Sequence, residues 1–136
     1  MADNVKLLVV DDNPMVLAML QQALSSLAQV TTAADAADAL LKAVDEPPDL
    51  LVCDYRLPGM DGRQLVEKLK SRPATANFST VLMASKADIV ERLSPLDAAD
   101  DYLEKPFTPD SLAAKVRDVL DNEPVGGKQR TPITVD

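Results

Sequence analysis

Histidine is absent from this chain of 136 residues, and glycine and cysteine are scarce. Without histidine, the chain cannot supply an imidazole as a general base, a metal ligand or a phosphoryl carrier. The four glycines fall at positions 59, 62, 126 and 127, so no glycine-rich loop is available to cradle phosphates. These absences exclude histidine chemistry within the chain and phosphate binding of the P-loop type.

Positive charge and aromatic side chains are also limited. The chain has 22 acidic and 14 basic residues, a net charge of −8, two Phe, two Tyr and no Trp. Nucleic-acid affinity depends largely on lysine, arginine and aromatic stacking, so we expect no direct binding to nucleic acid. No apolar run approaches the roughly 18 residues of a membrane span, and no signal peptide is recognisable. We therefore expect no membrane association, and the single cysteine, Cys53, favours a cytoplasmic location.

Short apolar runs alternate with longer amphipathic stretches along most of the chain. The runs predict five strands, at 5–10, 29–33, 49–54, 79–85 and 100–104. Amphipathic stretches follow each strand, and polar-proline pairs mark two helix starts, at Asn13-Pro14 and Thr108-Pro109. This alternation predicts an α/β fold with a parallel sheet. We predict one domain over residues 1–121 and a flexible tail or linker over residues 122–136.

Polar side chains mark the ends of four predicted strands. In a parallel sheet with helical crossovers, all strands end at the same edge, and ligands bind there. The side chains at these ends are Asp11, Asp12, Asp54, Ser85 and Lys105. The sequence therefore predicts that three carboxylates, a hydroxyl and an ammonium converge at one edge of the sheet.

Three neighbouring carboxylates repel one another unless one is protonated or a cation neutralises them. Two charges 4 Å apart interact by roughly 4 kcal/mol near a protein surface. Carboxylates with free coordination positions suit Mg²⁺, and the lack of histidine and of a thiolate cluster disfavours zinc. A carboxylate beside Mg²⁺, with Lys105 and Ser85 opposite, is equipped to accept a phosphoryl group. We interpret Asp11 and Asp12 as metal-holding groups and Asp54 as the nucleophile.

Four short motifs carry a resemblance to a known family. They are VVDD at the first strand, DYRLPGMDG around Asp54, VLMAS ending at Ser85, and DDYLEKPF around Lys105. In this order and spacing they resemble the receiver domain of bacterial response regulators, the phosphoacceptor half of two-component signalling. The resemblance covers residues 5–121. It implies a flavodoxin-like (βα)5 doubly wound sheet with the strand order 2-1-3-4-5.

The resemblance also implies a role for each acidic residue. Asp54 would be the phosphorylated residue. Asp12, Asp54 and the backbone carbonyl of Arg56 would ligate Mg²⁺. Asp11 would assist, through a water molecule.

The same resemblance assigns roles to the fourth and fifth strands. Lys105 would bind a phosphoryl oxygen, and the Ser85 hydroxyl would turn toward the phosphoryl group. Tyr102 would be the aromatic switch residue that swings inward as that hydroxyl moves. The Lys105-Pro106 peptide bond is expected to be cis.

The expected function is a Mg²⁺-dependent phosphoacceptor switch in phosphorelay signalling. We do not expect a metabolic enzyme, since the chain's own catalysis would be limited to self-phosphorylation and hydrolysis of the phosphoryl group. With no histidine in the chain, the phosphoryl donor would be a small phosphodonor, a sensor histidine kinase or a histidine phosphotransfer protein. The output would pass to a downstream effector protein or to a C-terminal output domain beyond this chain. Phosphorylation-dependent dimerisation is a further option.

The sequence departs from the family pattern at three points. Lys86 follows Ser85 where the family usually has a small residue, and it would either reach into the site or point to solvent. The segment between Ser85 and Tyr102 is short and contains Pro95, which predicts a short fourth helix. Ala98 replaces the glycine that is common before the fifth strand.

Two rival functions and several structural roles remain open. A pseudo-receiver would keep the fold as an interaction module without phosphorylation, and Lys86 keeps this alternative open. A phosphatase of the haloacid-dehalogenase type needs a second aspartate two residues after the nucleophile, where this chain has Arg56. Asp11 and Asp12 could merely favour the positive end of a helix, and Tyr102 could be a core tyrosine.

Overall fold

The structure, a computed structural model, describes residues 5–91 and 101–122. These residues form a parallel sheet of five strands in the order β2-β1-β3-β4-β5. The strands are β1 (Lys6–Val10), β2 (Gln29–Ala33), β3 (Leu50–Asp54), β4 (Ser79–Ser85) and β5 (Asp101–Lys105). The predicted α/β fold and its strand order are confirmed.

Five helices connect or follow the strands. They are α1 (Pro14–Leu24), α2 (Ala36–Asp45), α3 (Gly62–Lys70), α4 (Lys86–Glu91) and α5 (Pro109–Asn122), with a 3₁₀ turn at Pro73–Thr75. In the sequence, an apolar stripe from Val16 to Leu27 predicts that the first helix reaches Leu27, but α1 ends at Leu24. Lys105 is the last residue of β5, whereas the sequence predicted that it would follow the strand. Pro95, Ala98 and residues 123–136 of the predicted tail lie outside the described residues. Among the described helices, none is long and apolar enough to cross a membrane.

Side-chain caps explain why three helices begin where they do. The Asn13 side-chain oxygen accepts hydrogen bonds from the backbone N–H groups of Met15 and Val16 at the start of α1. At the start of α3, Asp61 and Gln64 form a reciprocal capping box. Thr108 and Ser111 exchange similar hydrogen bonds of 3.0 Å at the start of α5. Both proline-marked helix starts are therefore confirmed.

The sheet is covered on both faces, which explains its apolar central strands. Helices α1 and α5 pack on one face, and α2 and α3 pack on the other. All five residues of β3 are buried, whereas the edge strand β2 alternates between exposed and partly buried residues and ends on the buried Ala33. The three inner strands β1, β3 and β4 are therefore fixed by packing from both sides, and β1 and β3 lead to the aspartates described below.

Gly62 marks a close approach between α3 and the end of β3. Its N–H donates a hydrogen bond of 2.6 Å to the carbonyl oxygen of Tyr55. A Cβ atom at this position would lie 2.8 Å from the carbonyl oxygen of Asp54 and 2.9 Å from a Leu82 methyl group. A side chain at residue 62 would therefore push the helix away from the strand end that carries Asp54.

We predict that Gly62→Ala destabilises the fold. The added methyl group overlaps backbone that cannot move freely, so we expect a loss of about 1–3 kcal/mol in the free energy of unfolding. Urea denaturation measures the change. Glu67→Ala, at an exposed position of the same helix, is the matched control and should change stability by less than about 0.5 kcal/mol. Equal stability of Gly62→Ala and wild type would contradict the close approach.

Candidate functional site

The carboxyl ends of β1, β3 and β5 bring the predicted polar residues together. Val10 pairs with Cys53 in the sheet, so the next residues, Asp11 and Asp54, leave neighbouring strands at the same level. On the other side of β3, Ser85 pairs with Lys105 across β4 and β5. This parallel register places the predicted side chains at one edge of the sheet, as the sequence indicated.

Asp11, Asp12 and Asp54 form an acidic cluster. Each can offer one carboxylate oxygen such that the three oxygens lie within 4.8 Å of one another. Asp11 and Asp54 are buried, at 2% and 5% exposure, whereas Asp12 is exposed. Two of the three charges are therefore removed from solvent that would otherwise screen their repulsion.

Asp11 is the most constrained of the three carboxylates. Its Oδ1 atom accepts a hydrogen bond of 2.9 Å from the backbone N–H of Asn13. Its Oδ2 atom is buried and has no hydrogen-bond donor within the described ranges 5–91 and 101–122. Burial raises the pKa of Asp11, the Asn13 hydrogen bond partly offsets this, and the charge of Asp54 raises the pKa further.

Lys105 supplies a positive charge to this cluster. Its Nζ atom lies 2.8 Å from Oδ1 of Asp54, and the lysine side chain is 39% exposed against 8% for the aspartate. The same Oδ1 atom also accepts a long hydrogen bond of 3.4 Å from the backbone N–H of Arg56. The Lys105-Pro106 peptide bond is cis, as expected.

An open pocket of about 590 Å³ lies over these side chains. Its polar lining includes the three aspartates and Lys105, and apolar side chains from α1 and the segment after β5 complete its wall, namely Val16, Met19, Pro106 and Phe107. A pocket of this size can hold a hydrated ion together with a phosphoryl group.

The donor set fits Mg²⁺. The carboxylate oxygens are hard ligands at the edge of an open pocket, where the ion can keep several of its waters. The buried Oδ2 atom of Asp11 also lacks a donor among the described residues, as expected where a cation or its water completes the site.

Ser85 and Tyr102 lie apart from this pocket, since neither lines it. The Ser85 side-chain oxygen accepts a hydrogen bond of 3.1 Å from the backbone N–H of Asp88, and so caps the start of α4. Tyr102 is half-buried and packs against the core on the α2 and α3 side of the sheet. Lys86 is exposed in the first turn of α4 and does not line the pocket.

An ion pair between Arg56 and Asp88 was not predicted from the sequence. Arg56 follows β3, and its Nε and Nη2 atoms donate hydrogen bonds of 2.8 and 2.7 Å to the two carboxylate oxygens of Asp88 in α4. Hydrogen bonding to Asp88 raises the pKa of the Arg56 guanidinium. In the sequence, Ser85 stands three residues before the acidic Asp88. This spacing is typical of a helix N-cap and was the available indication of the cap at the start of α4.

Comparison with known proteins identifies the family. The family model "Response regulator receiver domain" matches residues 7–117, which is most of the chain. The chain belongs to the response regulator receiver domain family. The resemblance inferred from the four sequence motifs is thereby confirmed.

Curated relatives of this receiver domain belong to longer proteins. The chain is 37% identical over 119 residues to the alkaline phosphatase synthesis transcriptional regulatory protein PhoP of Bacillus subtilis, covering 86% of this chain and 49% of that protein. It is 32% identical over 134 residues to the sensor histidine kinase TmoS of Ectopseudomonas mendocina, covering 98% of this chain and 14% of that protein. The receiver domain thus spans about half or less of the length of these two relatives.

Solved receiver structures share the fold. The chemotaxis response regulator CheY4 of Vibrio cholerae superposes with a TM-score of 0.78 at 26% identity, covering 85% of this chain and 98% of that one. A receiver domain protein from Methanospirillum hungatei gives a TM-score of 0.73 at 33% identity, with 86% and 94% covered. Both comparisons support the same architecture for this receiver domain.

The buried carboxylate of Asp11 leads to a prediction about stability and pH. A raised pKa in the folded state means that stability is greatest below the unfolded pKa and is lost as pH rises through the folded pKa. Without added metal at pH 7, Asp11→Asn should therefore be more stable than wild type, by roughly 1 kcal/mol. The difference in stability between the two proteins should shrink as the pH approaches 4, because the Asp11 carboxyl group becomes protonated.

Urea unfolding of both proteins, with and without Mg²⁺, measures this effect. Mg²⁺ should stabilise the wild type more than Asp11→Asn, because the variant lacks one negative charge of the cluster. Asp12→Asn, at an exposed carboxylate, is the matched control and should gain less stability than Asp11→Asn when no metal is added. If Asp11→Asn is less stable than wild type at pH 7 without metal, the buried Asp11 carboxylate does not destabilise the fold.

Proposed function

We propose that this receiver domain accepts a phosphoryl group on Asp54 in a Mg²⁺-dependent reaction and thereby switches a protein-interaction surface. The observation that carries the proposal is the contact between the buried Asp54 carboxylate and Lys105 beside two further aspartates in an open pocket. A nucleophile, a cation and metal-holding groups are the parts that phosphoryl transfer requires.

In the proposed reaction, a carboxylate oxygen of Asp54 attacks the phosphorus atom of the donor. The bond from phosphorus to the donor's nitrogen or oxygen breaks, and the donor leaves with that electron pair. The Lys105 ammonium group stabilises the negative charge on the transferred oxygens. Attack by water later releases inorganic phosphate and restores the carboxylate of Asp54.

Asp11, Asp12 and Asp54, together with the backbone carbonyl of Arg56, would hold the metal ion. When bound, Mg²⁺ supplies positive charge that offsets the charge of the carboxylates and of the transferring phosphoryl group. With their charge offset, the carboxylates would repel the anionic phosphoryl donor less. The chain's own contribution is to fix their positions through the register of β1 and β3.

The rival functions are less well supported. A pseudo-receiver would not require the acidic cluster and its lysine contact, and the exposed Lys86 does not line the pocket. A phosphatase of the haloacid-dehalogenase type would need an aspartate at the position of Arg56, whose side chain instead pairs with Asp88. We therefore propose no metabolic activity beyond self-phosphorylation and loss of the phosphoryl group.

The relatives' names suggest the class of partner. One relative is a sensor histidine kinase and another is a transcriptional regulatory protein. We propose that a histidine kinase or a histidine phosphotransfer protein donates the phosphoryl group. An effector protein or a linked output domain would respond to it, with dimerisation as one form of response. A cytoplasmic location, where such kinases deliver the phosphoryl group, stays a prediction.

Intact-protein mass spectrometry after incubation with acetyl phosphate tests the phosphorylation site. Wild type should gain one phosphoryl group only when Mg²⁺ is present, and Asp54→Asn should gain none, because the amide is not a competent nucleophile. Glu46→Gln removes an exposed carboxylate from the segment before β3, at the opposite edge of the sheet, and should label like wild type. Labelling of Asp54→Asn at the wild-type rate would refute the assignment.

Lys105→Ala tests the proposed role of the ammonium group. We expect the variant to bind Mg²⁺ at least as tightly as wild type, because a positive charge has been removed beside the carboxylates. Its rate of labelling by acetyl phosphate should fall at least tenfold, since the transferred oxygens lose their cation. Titration with Mg²⁺ followed by amide NMR shifts, together with labelling kinetics, separates the two effects. An unchanged labelling rate would mean that Lys105 has only a structural role.

A further inference from the structure

The Arg56–Asp88 ion pair joins the segment after β3 to helix α4. The guanidinium binds both oxygens of the carboxylate, at 2.8 and 2.7 Å, which is the bidentate geometry of a strong, directional pair. The Asp88 side chain is only 7% exposed, whereas that of Arg56 is 64% exposed. A buried carboxylate is therefore held in place by an arginine that reaches it from the solvent side.

Asp88 also fixes the hydroxyl of Ser85. The backbone N–H of Asp88 donates to the Ser85 side-chain oxygen at 3.1 Å, so one residue contacts both Arg56 and Ser85. The three residues form a continuous chain of contacts from the residue two positions after Asp54 to the end of β4. Any movement of the Ser85 side chain away from α4 breaks the bond to Asp88.

We propose that Arg56 and Asp88 are positioning residues that hold the Ser85 hydroxyl at the start of α4 and oppose its movement toward a phosphoryl group on Asp54. The coupling to the phosphoryl group rests on the proposed function. The holding of α4 by the ion pair does not, and it can be measured in the unmodified protein. In the unmodified domain, the ion pair favours the resting arrangement of α4.

A second explanation of the role of Arg56 predicts the opposite change in the response for the Arg56→Gln variant. If its guanidinium acted on the phosphoryl group through charge alone, Arg56→Gln would weaken the response, and Asp88→Asn would strengthen it by removing a negative charge. If the ion pair restrains Ser85, both variants weaken the restraint and both strengthen the response. The double variant should then gain no more than the stronger single variant, because both changes break the same contact.

Titration with beryllofluoride in the presence of Mg²⁺, followed by amide NMR shifts of residues 86–91, measures the response. Relative to wild type, Asp88→Asn and Arg56→Gln should each lower the half-saturating concentration at least threefold. Arg56→Lys keeps the charge and loses the bidentate contact, so it should give an intermediate value. Glu46→Gln, which breaks an exposed ion pair with Lys6, is the matched control and should leave the concentration unchanged. Far-ultraviolet circular dichroism establishes that each variant is folded.

Hydrogen exchange of residues 86–91 in the unmodified proteins tests the restraint independently of phosphorylation. Exchange should be faster in Asp88→Asn and Arg56→Gln than in wild type and Glu46→Gln. Unchanged exchange would refute the restraint even if the wild type responds to beryllofluoride. Exchange could be faster while Arg56→Gln raises the half-saturating concentration of beryllofluoride and Asp88→Asn lowers it. That result would refute the coupling of the ion pair to the phosphoryl group and favour the charge explanation. A wild type that neither responds to beryllofluoride nor gains a phosphoryl group would instead refute the proposed function.

Discussion

The repulsion among three carboxylates at one edge of the sheet is the constraint on which the site depends. Asp11 and Asp54 are buried because Asp11 follows β1 and Asp54 ends β3, and helices cover both faces of these inner strands. The packing of the core thus holds like charges at a separation that they would not adopt by themselves. The contact between Lys105 and Asp54 relieves part of the repulsion, while the raised pKa of Asp11 shows that burial still disfavours its charge. A cation held by these carboxylates would relieve the repulsion that remains.

Most of the fold and the positions of the acidic residues could be predicted from the sequence for one physical reason. In a parallel sheet, the ends of all strands meet at one edge, so finding the strands also locates Asp11, Asp54 and Lys105. Helix starts were predictable where a capping residue was followed by proline, as at Asn13. Helix ends were less predictable, because an apolar residue can pack on the core after the helix has ended. Leu27 does so beyond α1.

The contacts of Ser85 and Arg56 could not be predicted in the same way. Their partner, Asp88, is distant from Arg56 in the sequence, and the pairing depends on the path of the segment after β3 and on the placement of α4. Strand order determines neither of these. The family resemblance did assign Ser85 a role, but it described the hydroxyl turned toward a phosphoryl group. In this structure the hydroxyl caps α4, which is a second use of the same oxygen.

The segment from Tyr55 to Gly62 is anchored at both ends, and this determines which parts of the site can move. At one end, Arg56 is bound to Asp88; at the other, Gly62 lies against the carbonyl of Asp54 with no space for a side chain. The capping box at Asp61 and Gln64 further fixes the start of α3. A phosphoryl group on Asp54 would therefore meet a stiff boundary on the β3–α3 side. On the β4 side, the oxygen of the exposed Ser85 accepts one hydrogen bond, from Asp88, within the described part of the chain. Because an exposed side chain with one such bond is easier to move than a doubly anchored segment, the proposed restraint on Ser85 would depend on the Arg56–Asp88 ion pair that holds α4.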